Sequence, residues 1–156
     1  MNTALIGHTG FVGSNLARQH VFDQYFNSRN SADLRGQQFE VLVCAAPSAV
    51  KWQANQAPEQ DWAKITDLMQ QLETCQAKLC IQISTVDVYP HPTEVDEQTP
   101  INPEENQPYG KHRFYLEEFV RGHFSNTIVV RLPGLFGTGI KKNIIFDLLT
   151  NNHVEA

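Results

Sequence analysis

Three glycines near the amino terminus have a spacing that suits phosphate chemistry. Gly7, Gly10 and Gly13 follow the short apolar run Thr3 to Ile6, and the segment Phe11 to His20 then has apolar residues at helical spacing. A glycine-rich turn between a strand and a helix lets the backbone approach a pyrophosphate, whose charge the helix amino terminus favours. The segment therefore predicts a dinucleotide-binding turn, with an ordinary strand-to-helix turn as the alternative.

The end of the second strand bears on the choice between NAD and NADP. We expect that strand within Val21 to Phe26, and no acidic residue stands at its tip to bind the 2′-hydroxyl of an NAD ribose. Arg29 follows instead, and its guanidinium could pair with the 2′-phosphate of NADP. The other interpretation of Arg29 is an exposed turn charge, so both cofactors remain open.

Strands and helices that alternate along the chain must position this turn. Three further strands are predicted from apolar runs at Glu40 to Ala46, Leu79 to Ser84 and Thr127 to Leu132. Three further helices are predicted from a start near Pro58-Glu59, at Tyr109 to His123 and at Lys141 to Thr150. This alternation indicates an α/β fold in which a parallel sheet is covered by helices on both faces.

Length and composition limit the classes of function. The chain has 156 residues, and we interpret residues 1–156 as a single domain with one core. The net charge of −5, without a basic stripe, argues against nucleic-acid binding. No apolar run approaches the length of a bilayer span, so we expect a cytoplasmic protein without membrane contact. The cysteines have no metal-ligand spacing, which predicts reduced thiols and no metal.

Four motifs occur in the order and spacing of the extended short-chain dehydrogenases/reductases. They are Gly7-His8-Thr9-Gly10-Phe11-Val12-Gly13, Ile83-Ser84-Thr85-Val86-Asp87-Val88-Tyr89, Tyr109-Gly110-Lys111-His112-Arg113 and Arg131-Leu132-Pro133-Gly134-Leu135-Phe136-Gly137. Over nearly its whole length the chain resembles the NAD-dependent epimerase/dehydratase family, which acts on nucleotide sugars. The resemblance implies a Rossmann-like, doubly wound sheet of about five strands in three αβα layers. Because the family's third-strand unit is absent, the expected strand order is 2-1-3-4-5.

The resemblance implies a pair of residues that handle a proton. Tyr109 matches the family's catalytic tyrosine, and Thr85 matches the residue that polarises the substrate oxygen. The family usually has a lysine four residues after the tyrosine, whereas this sequence has Arg113. Arginine keeps the positive charge, but its planar fork does not reproduce a lysine's contact with the cofactor ribose. We therefore expect Tyr109 to be partly activated and poorly coupled to the cofactor.

The resemblance also assigns residues to the cofactor. In the glycine turn and beyond it, these are Gly7, Thr9, Gly10, Phe11, Val12, Gly13, Ala45, Ala46 and Pro133. Asp33 and Leu34 resemble the family's acid-plus-aliphatic pair that contacts adenine.

Candidate substrate contacts lie at two places. Asp87 occupies the position of a glutamate base of the dehydratase branch, but Val86 replaces the neighbouring acid, so we expect a loop acid or a polar substrate contact. Lys141, Lys142 and Asn143 stand at a predicted helix start, which favours anions, and Asn143 resembles an asparagine near the substrate diphosphate. A solvated basic helix start is the alternative.

The resemblance leaves two hypotheses about function. In the extended family a substrate lobe follows the last predicted helix, and we expect it to be missing from this chain. The first hypothesis is an NAD(P)-dependent epimerase, dehydratase or reductase domain for a nucleotide sugar, possibly as a homo-oligomer and impaired or truncated. The second is a non-catalytic dinucleotide-binding module or sensor. Thr85 and Tyr109 favour the first, and Arg113 with the early end favours the second.

Overall fold

The computed structural model describes residues 1–140 and 144–150, which form five strands and five helices. The strands are β1 (Thr3–Ile6), β2 (Gln24–Phe26), β3 (Gln38–Cys44), β4 (Gln76–Thr85) and β5 (Thr127–Leu132). The helices are α1 (Phe11–Gln19), α2 (Lys51–Gln56), α3 (Pro58–Glu73), α4 (Pro108–His123) and α5 (Ile144–Leu149). Helices therefore separate most pairs of consecutive strands, as parallel pairing requires.

All five strands belong to one parallel sheet in the order β2-β1-β3-β4-β5, which confirms the predicted order. Parallel pairing brings the carboxyl ends of the strands to one edge. At that edge Ile6 pairs with Phe26 and Cys44, and Cys44 pairs in turn with Gln82. Residues 27–37, which connect β2 to β3, are described throughout and contain a 3-10 turn at Ser31–Leu34 rather than a strand.

Apolar side chains cover both faces of the sheet, so the predicted three layers are confirmed. On one face, Leu42 packs with Ile65 and Leu72 of α3 and with Leu116 of α4. On the other face, a smaller cluster around Leu5, Phe22 and Val43 packs against Leu16 and Ala17 of α1. Helix α1 therefore lies on the face opposite to α3 and α4.

The elements differ from the prediction in helix α2 and at several strand boundaries. Helix α2 has no predicted counterpart, because Ala54 is its one buried residue and the segment shows no apolar periodicity. Strand β4 begins at Gln76 instead of Leu79, where it already pairs with Gln38 of β3. The last helix is described over Ile144–Leu149, and the predicted start at Lys141 lies outside the described residues.

Helices α3 and α4 begin for reasons that are visible in the sequence. Each has a proline in its first turn. Proline has no N–H group, but backbone N–H groups in a first turn make no intrahelical hydrogen bond, so none is lost there. The first turn of α3 also holds Glu59 and Asp61, whose charges complement the helix dipole. These starts place the first turn of α4, with Tyr109, close to α2 and the first turn of α3.

Candidate active site

The glycine turn is a tightly packed bend between β1 and α1. Gly7 has a φ of +82°, and a Cβ there would lie 2.7 Å from the carbonyl oxygen of Ala45. A Cβ on Gly13 would lie 2.1 Å from the carbonyl oxygen of Gly7. Both positions therefore need glycine for the fold itself. Gly10 differs, because its Cβ would meet only the Gly7 oxygen at 3.4 Å and the residue is exposed.

The amino end of α1 fits the pyrophosphate of a dinucleotide. Gly10 is the N-cap residue, and no side chain in the described part of the chain caps the helix there. The first turn contains no acidic residue. Phe11 and Val12 begin the helix beside the exposed Thr9, so their backbone N–H groups are available to an anion. The open space at Gly10 lets that anion approach closely.

At the adenosine end, two of the three candidate residues lie at the surface. Arg29 and Asp33 are exposed, and the Arg29 backbone N–H donates to Asn27 Oδ1 over 2.8 Å. Leu34, in contrast, is 0% exposed and belongs to the larger core cluster. The expected contact between Leu34 and adenine stays a prediction. The side chain of Leu34 packs in the hydrophobic core.

The sequence analysis missed His8 as the residue that joins the glycine turn to the end of β2. Its Nδ1 lies 3.0 Å from the carbonyl oxygen of Phe26, and its Nε2 lies 3.4 Å from the amide nitrogen of Asn27. The ring therefore ties the turn to the strand whose end should face the adenine ribose. Its place inside the motif was visible, but its partners depend on strand pairing.

An apolar cleft opens beside the glycine turn. Phe11 and Val12 line it on one side, and Leu132, Leu135 and Phe136 line it after β5. The exposed Pro133 lies in this same segment. Ala45 and Ala46 lie across the turn at the end of β3, where the Ala45 N–H donates to the Ile6 carbonyl over 2.9 Å. The predicted cofactor residues outside the adenosine end thus flank the amino end of α1.

Thr85 and Tyr109 are brought close together although they are distant in sequence, because α4 packs on the turn that follows β4. Thr85 ends β4, and Tyr109 lies in the first turn of α4 with 6% of its surface exposed. The Tyr109 N–H donates to Asn55 Oδ1 over 2.9 Å, so a side chain from α2 binds the start of α4. A Cβ on Gly110 would lie 2.0 Å from the Asp87 carbonyl oxygen. The glycine after Tyr109 thus allows α4 to pack directly on the turn that follows β4.

Burial and several charges act on the phenol of Tyr109. Burial raises its pKa, Arg113 and a hydrogen bond with Thr85 lower it, and the carboxylates of Asp87 and Asp61 raise it. The result is a pKa above the ordinary value for tyrosine. Tyr109 is therefore protonated at neutral pH and is suited to donate a proton to a substrate oxygen.

Arg113 lies one helical turn from Tyr109 and is 5% exposed. Its guanidinium carbon lies 3.9 Å from the centre of the Tyr109 ring. Both terminal nitrogens donate to Asp61, over 2.6 Å and 3.0 Å, and one of them also donates to the Ser48 carbonyl over 2.8 Å. The other donates to the Tyr109 carbonyl over 3.2 Å. The guanidinium is thus directed into the protein.

Asp87 pairs with a lysine that the sequence analysis missed. Lys51 Nζ lies 2.6 Å from Asp87 Oδ1, and the Thr85 hydroxyl donates to Asp87 Oδ2 over 3.2 Å. Both charged side chains are partly exposed, so a substrate could compete for them. Lys51 and Asn55 lie four residues apart on α2, and this spacing was the one available signal. Lys111 binds Glu104 over 2.6 Å, because at two residues from Tyr109 it lies on another side of α4.

Three further expectations concern the residues before α5, membrane helices and metal sites. Lys142 and Asn143, and with them Lys141, lie outside the described residues. No helix within 1–140 and 144–150 is both long and apolar enough to cross a membrane. The same residues contain no group of three or more histidine, cysteine or acidic side chains able to hold a metal ion.

Comparisons with known proteins identify the family. A family model described as the NAD dependent epimerase/dehydratase family matches residues 28–155. The glycine turn lies before that segment and is supported by its own geometry. Comparison with curated proteins finds no match.

Solved structures share the fold at low identity. A dTDP-4-dehydrorhamnose reductase from Clostridium acetobutylicum has a TM-score of 0.73 and 16% identity, covering 97% of this chain and 59% of its own. The enzyme of the same name from Bacillus anthracis, in complex with NADP, has a TM-score of 0.74, 18% identity and coverages of 95% and 58%. A UDP-galactose 4-epimerase has a TM-score of 0.75, 16% identity and coverages of 97% and 62%.

The chain thus spans about three fifths of the length of these structures. At such identities the likeness shows the fold alone. The family model, which matches most of the sequence, shows more: this chain belongs to the NAD-dependent epimerase/dehydratase family.

Proposed function

We propose that this protein binds NAD or NADP at the glycine turn and takes part in the oxidoreduction of a nucleotide sugar. The observation that carries the proposal is that the first turn of α4, which holds Tyr109, packs on the turn directly after Thr85 at the end of β4. Family membership supports the cofactor, and the names of the similar reductases and epimerase support the substrate class.

The residues of the chain take separate parts in this chemistry. The backbone of Phe11 and Val12 holds the pyrophosphate at the space that Gly10 leaves open. The bound nicotinamide supplies or accepts a hydride. Thr85 holds the substrate oxygen, and Tyr109 exchanges a proton with it. Because Tyr109 is protonated at neutral pH, its first task is proton donation, which suits the reduction of a carbonyl.

The substrate side of the proposal rests on charged residues around this pair. The ion pair of Lys51 and Asp87 lies next to Thr85. There the two charged side chains can separate from each other and bind hydroxyls of a sugar instead. We assign Lys142 and Asn143 to the diphosphate of the substrate, as the family resemblance implies. Arg29 would bind the 2′-phosphate when the cofactor is NADP, and Asp33 would contact the adenine.

One observation favours a second function, the binding of a dinucleotide without turnover. Both terminal nitrogens of Arg113 are occupied by Asp61, Ser48 and the Tyr109 carbonyl, so the guanidinium does not extend toward a cofactor ribose. A protein of this kind would still hold the dinucleotide through the glycine turn. It would report the cofactor's presence or redox state to a partner.

The two functions are separated by measuring binding and turnover in the same preparations. Titration with NADH and with NADPH, followed by cofactor fluorescence, should show saturable binding of at least one of them. Reduction of dTDP-4-keto sugars and epimerisation of UDP-galactose then test turnover. We expect Tyr109→Phe to lower turnover by about 100-fold or more while leaving cofactor affinity unchanged, because it removes only the exchangeable proton.

Tyr115→Phe is the matched control. Tyr115 lies on the same helix, and its hydroxyl donates to the exposed Glu104. Absence of binding by both dinucleotides would contradict the proposed function. Tight binding with no turnover of any sugar nucleotide would favour the second one.

A further inference from the structure

Asp61 is a buried carboxylate beneath Tyr109. Its Oδ1 accepts a hydrogen bond from Arg113 over 3.0 Å, and its Oδ2 accepts a second over 2.6 Å. His112 Nδ1 also lies 2.8 Å from Oδ2. The side chains of Asp61, His112 and Arg113 are 10%, 11% and 6% exposed. These three residues, here called the Asp61 cluster, join the first turn of α3 to the first turns of α4.

The cluster determines where the Arg113 guanidinium lies. A bidentate pair with a carboxylate fixes the plane of a guanidinium as well as its position. The Ser48 carbonyl accepts a further bond from the same group over 2.8 Å. Held in this way, the guanidinium carbon lies 3.9 Å from the centre of the Tyr109 ring. One residue of α3 thereby controls both the packing and the electrostatics of the phenol.

We propose that Asp61 is a positioning residue, which holds Arg113 against the ring of Tyr109 and opposes part of the charge of the guanidinium there. The proposal rests on the proposed function only in giving Tyr109 a proton to transfer. The arrangement itself is a property of the folded chain without any ligand.

The charges around Tyr109 explain why this opposition matters. Burial is the largest cause of the raised pKa of its phenol, and the groups that also act on it are Arg113, Asp87, Thr85 and Asp61. The guanidinium of Arg113 favours the phenolate and so works against the proton that Tyr109 should donate. The carboxylate of Asp61, bonded to that guanidinium, acts in the opposite direction, although it raises the pKa by less than Arg113 lowers it.

The test is a titration of Tyr109 in the protein without cofactor or substrate. The pKa of its phenol is obtained from the pH dependence of tyrosinate absorbance, as the difference between each protein and the same protein with Tyr109→Phe. Asp61→Asn keeps the shape of the side chain and removes its charge. We expect it to lower the pKa of Tyr109, because the carboxylate that acts against the guanidinium is then gone.

Asp67→Asn is the matched control, since Asp67 lies on α3 and is exposed. It should leave the titration of Tyr109 as in the wild type. A merely structural role for Asp61 would lower stability without moving the pKa of Tyr109, and that result would overturn the proposal. Because no turnover is measured, failure of the proposed function would leave this result unaffected.

A second variant covers the case in which Asp61→Asn does not fold. Asp61→Asn combined with Arg113→Gln removes both charges and leaves two amides that can bond to each other. Because Arg113 lowers the pKa of Tyr109 more than Asp61 raises it, the pKa of the phenol in this double variant should lie above the wild-type value. A pKa at or below the wild-type value would show that the guanidinium is not held where it acts on Tyr109, and would overturn the proposal.

Discussion

At the scale of single residues, the glycine turn contains two kinds of glycine. Gly7 and Gly13 are enclosed by backbone atoms, because a Cβ at either would lie under 3 Å from a carbonyl oxygen. Gly10 has open space beside it and lies at the amino end of α1. The first two glycines therefore serve the fold, and we propose that the third one serves the approach of a ligand.

Substitutions should separate these two roles. We expect Gly10→Asp to leave thermal unfolding close to the wild type and to weaken dinucleotide binding at least about tenfold, since a carboxylate would face the pyrophosphate. Gly13→Asp should prevent folding, because its Cβ would lie 2.1 Å from the Gly7 carbonyl oxygen. Calorimetric titration with NADH and NADPH measures the affinity.

Gly122→Asp is the control, because a Cβ on Gly122 in α4 would meet nothing within 4 Å. It makes the same chemical change far from the turn and should leave binding unchanged. Wild-type affinity in Gly10→Asp would show that the turn has no part in holding a dinucleotide.

At the scale of elements, helix α4 carries Tyr109 and is held at both ends. Asn55 of α2 binds its first turn, and Gly110 packs on the turn after β4. Further along, Glu117 is 0% exposed and accepts hydrogen bonds from Arg131 of β5 and from the Ser84 hydroxyl of β4. A buried carboxylate with a matched guanidinium thus ties α4 to the two strands that end at the site.

Removing one member of this pair should destabilise the whole domain. We expect Glu117→Gln to lower the free energy of unfolding by about 3 kcal/mol, because it leaves the Arg131 charge buried without its partner. Urea unfolding followed by circular dichroism measures the change. Glu118→Gln, an exposed neighbour on α4, should change it by less than about 0.5 kcal/mol. Equal effects of the two substitutions would contradict the importance of the buried pair.

At the scale of the whole molecule, the Asp61 cluster joins α3 and α4 on one face of the sheet. Burial by itself raises the pKa of Asp61, but hydrogen bonds and charges of Arg113 and His112 outweigh it. The pKa therefore lies below the ordinary value of 3.8. A carboxylate whose pKa is lower in the folded state stabilises that state above its unfolded pKa. This contribution is lost as the pH falls through the folded pKa.

The acid side of the stability profile should report this linkage. We expect the difference in urea midpoint between the wild type and Asp61→Asn to be constant from pH 7 to about pH 5 and to shrink below about pH 4. The reason is that protonation removes the negative charge of Asp61 from the wild type, and with it the stabilisation that the Asp61→Asn variant lacks at every pH. Asp67→Asn serves again as the control. A difference that does not shrink down to about pH 3 would contradict the lowered pKa of Asp61.

Much of the architecture followed from local patterns in the sequence. Apolar runs ending at Gly7 and Pro47 marked the first strand and the strand before α2, and Pro58 and Pro108 marked helix starts. Alternation of strands and helices then allowed few parallel arrangements, because crossovers have one hand. The glycine turn was predictable for the same reason, since a strand, a bend and a helix amino end are neighbours in sequence.

The environment of the site depended on contacts between distant segments. Helix α2 has little apolar periodicity, so the spacing of Lys51 and Asn55 did not by itself indicate their places beside Asp87 and Tyr109. Leu34 matched a cofactor motif, but packing placed it in the core.

Arg113 shows most clearly which properties the sequence determines and which depend on tertiary packing. The sequence alone placed it one helical turn from Tyr109, because the period of a helix is a local property. Only the packing of α3 against α4 decided that Asp61 would bind its guanidinium, because that contact joins segments far apart in the chain.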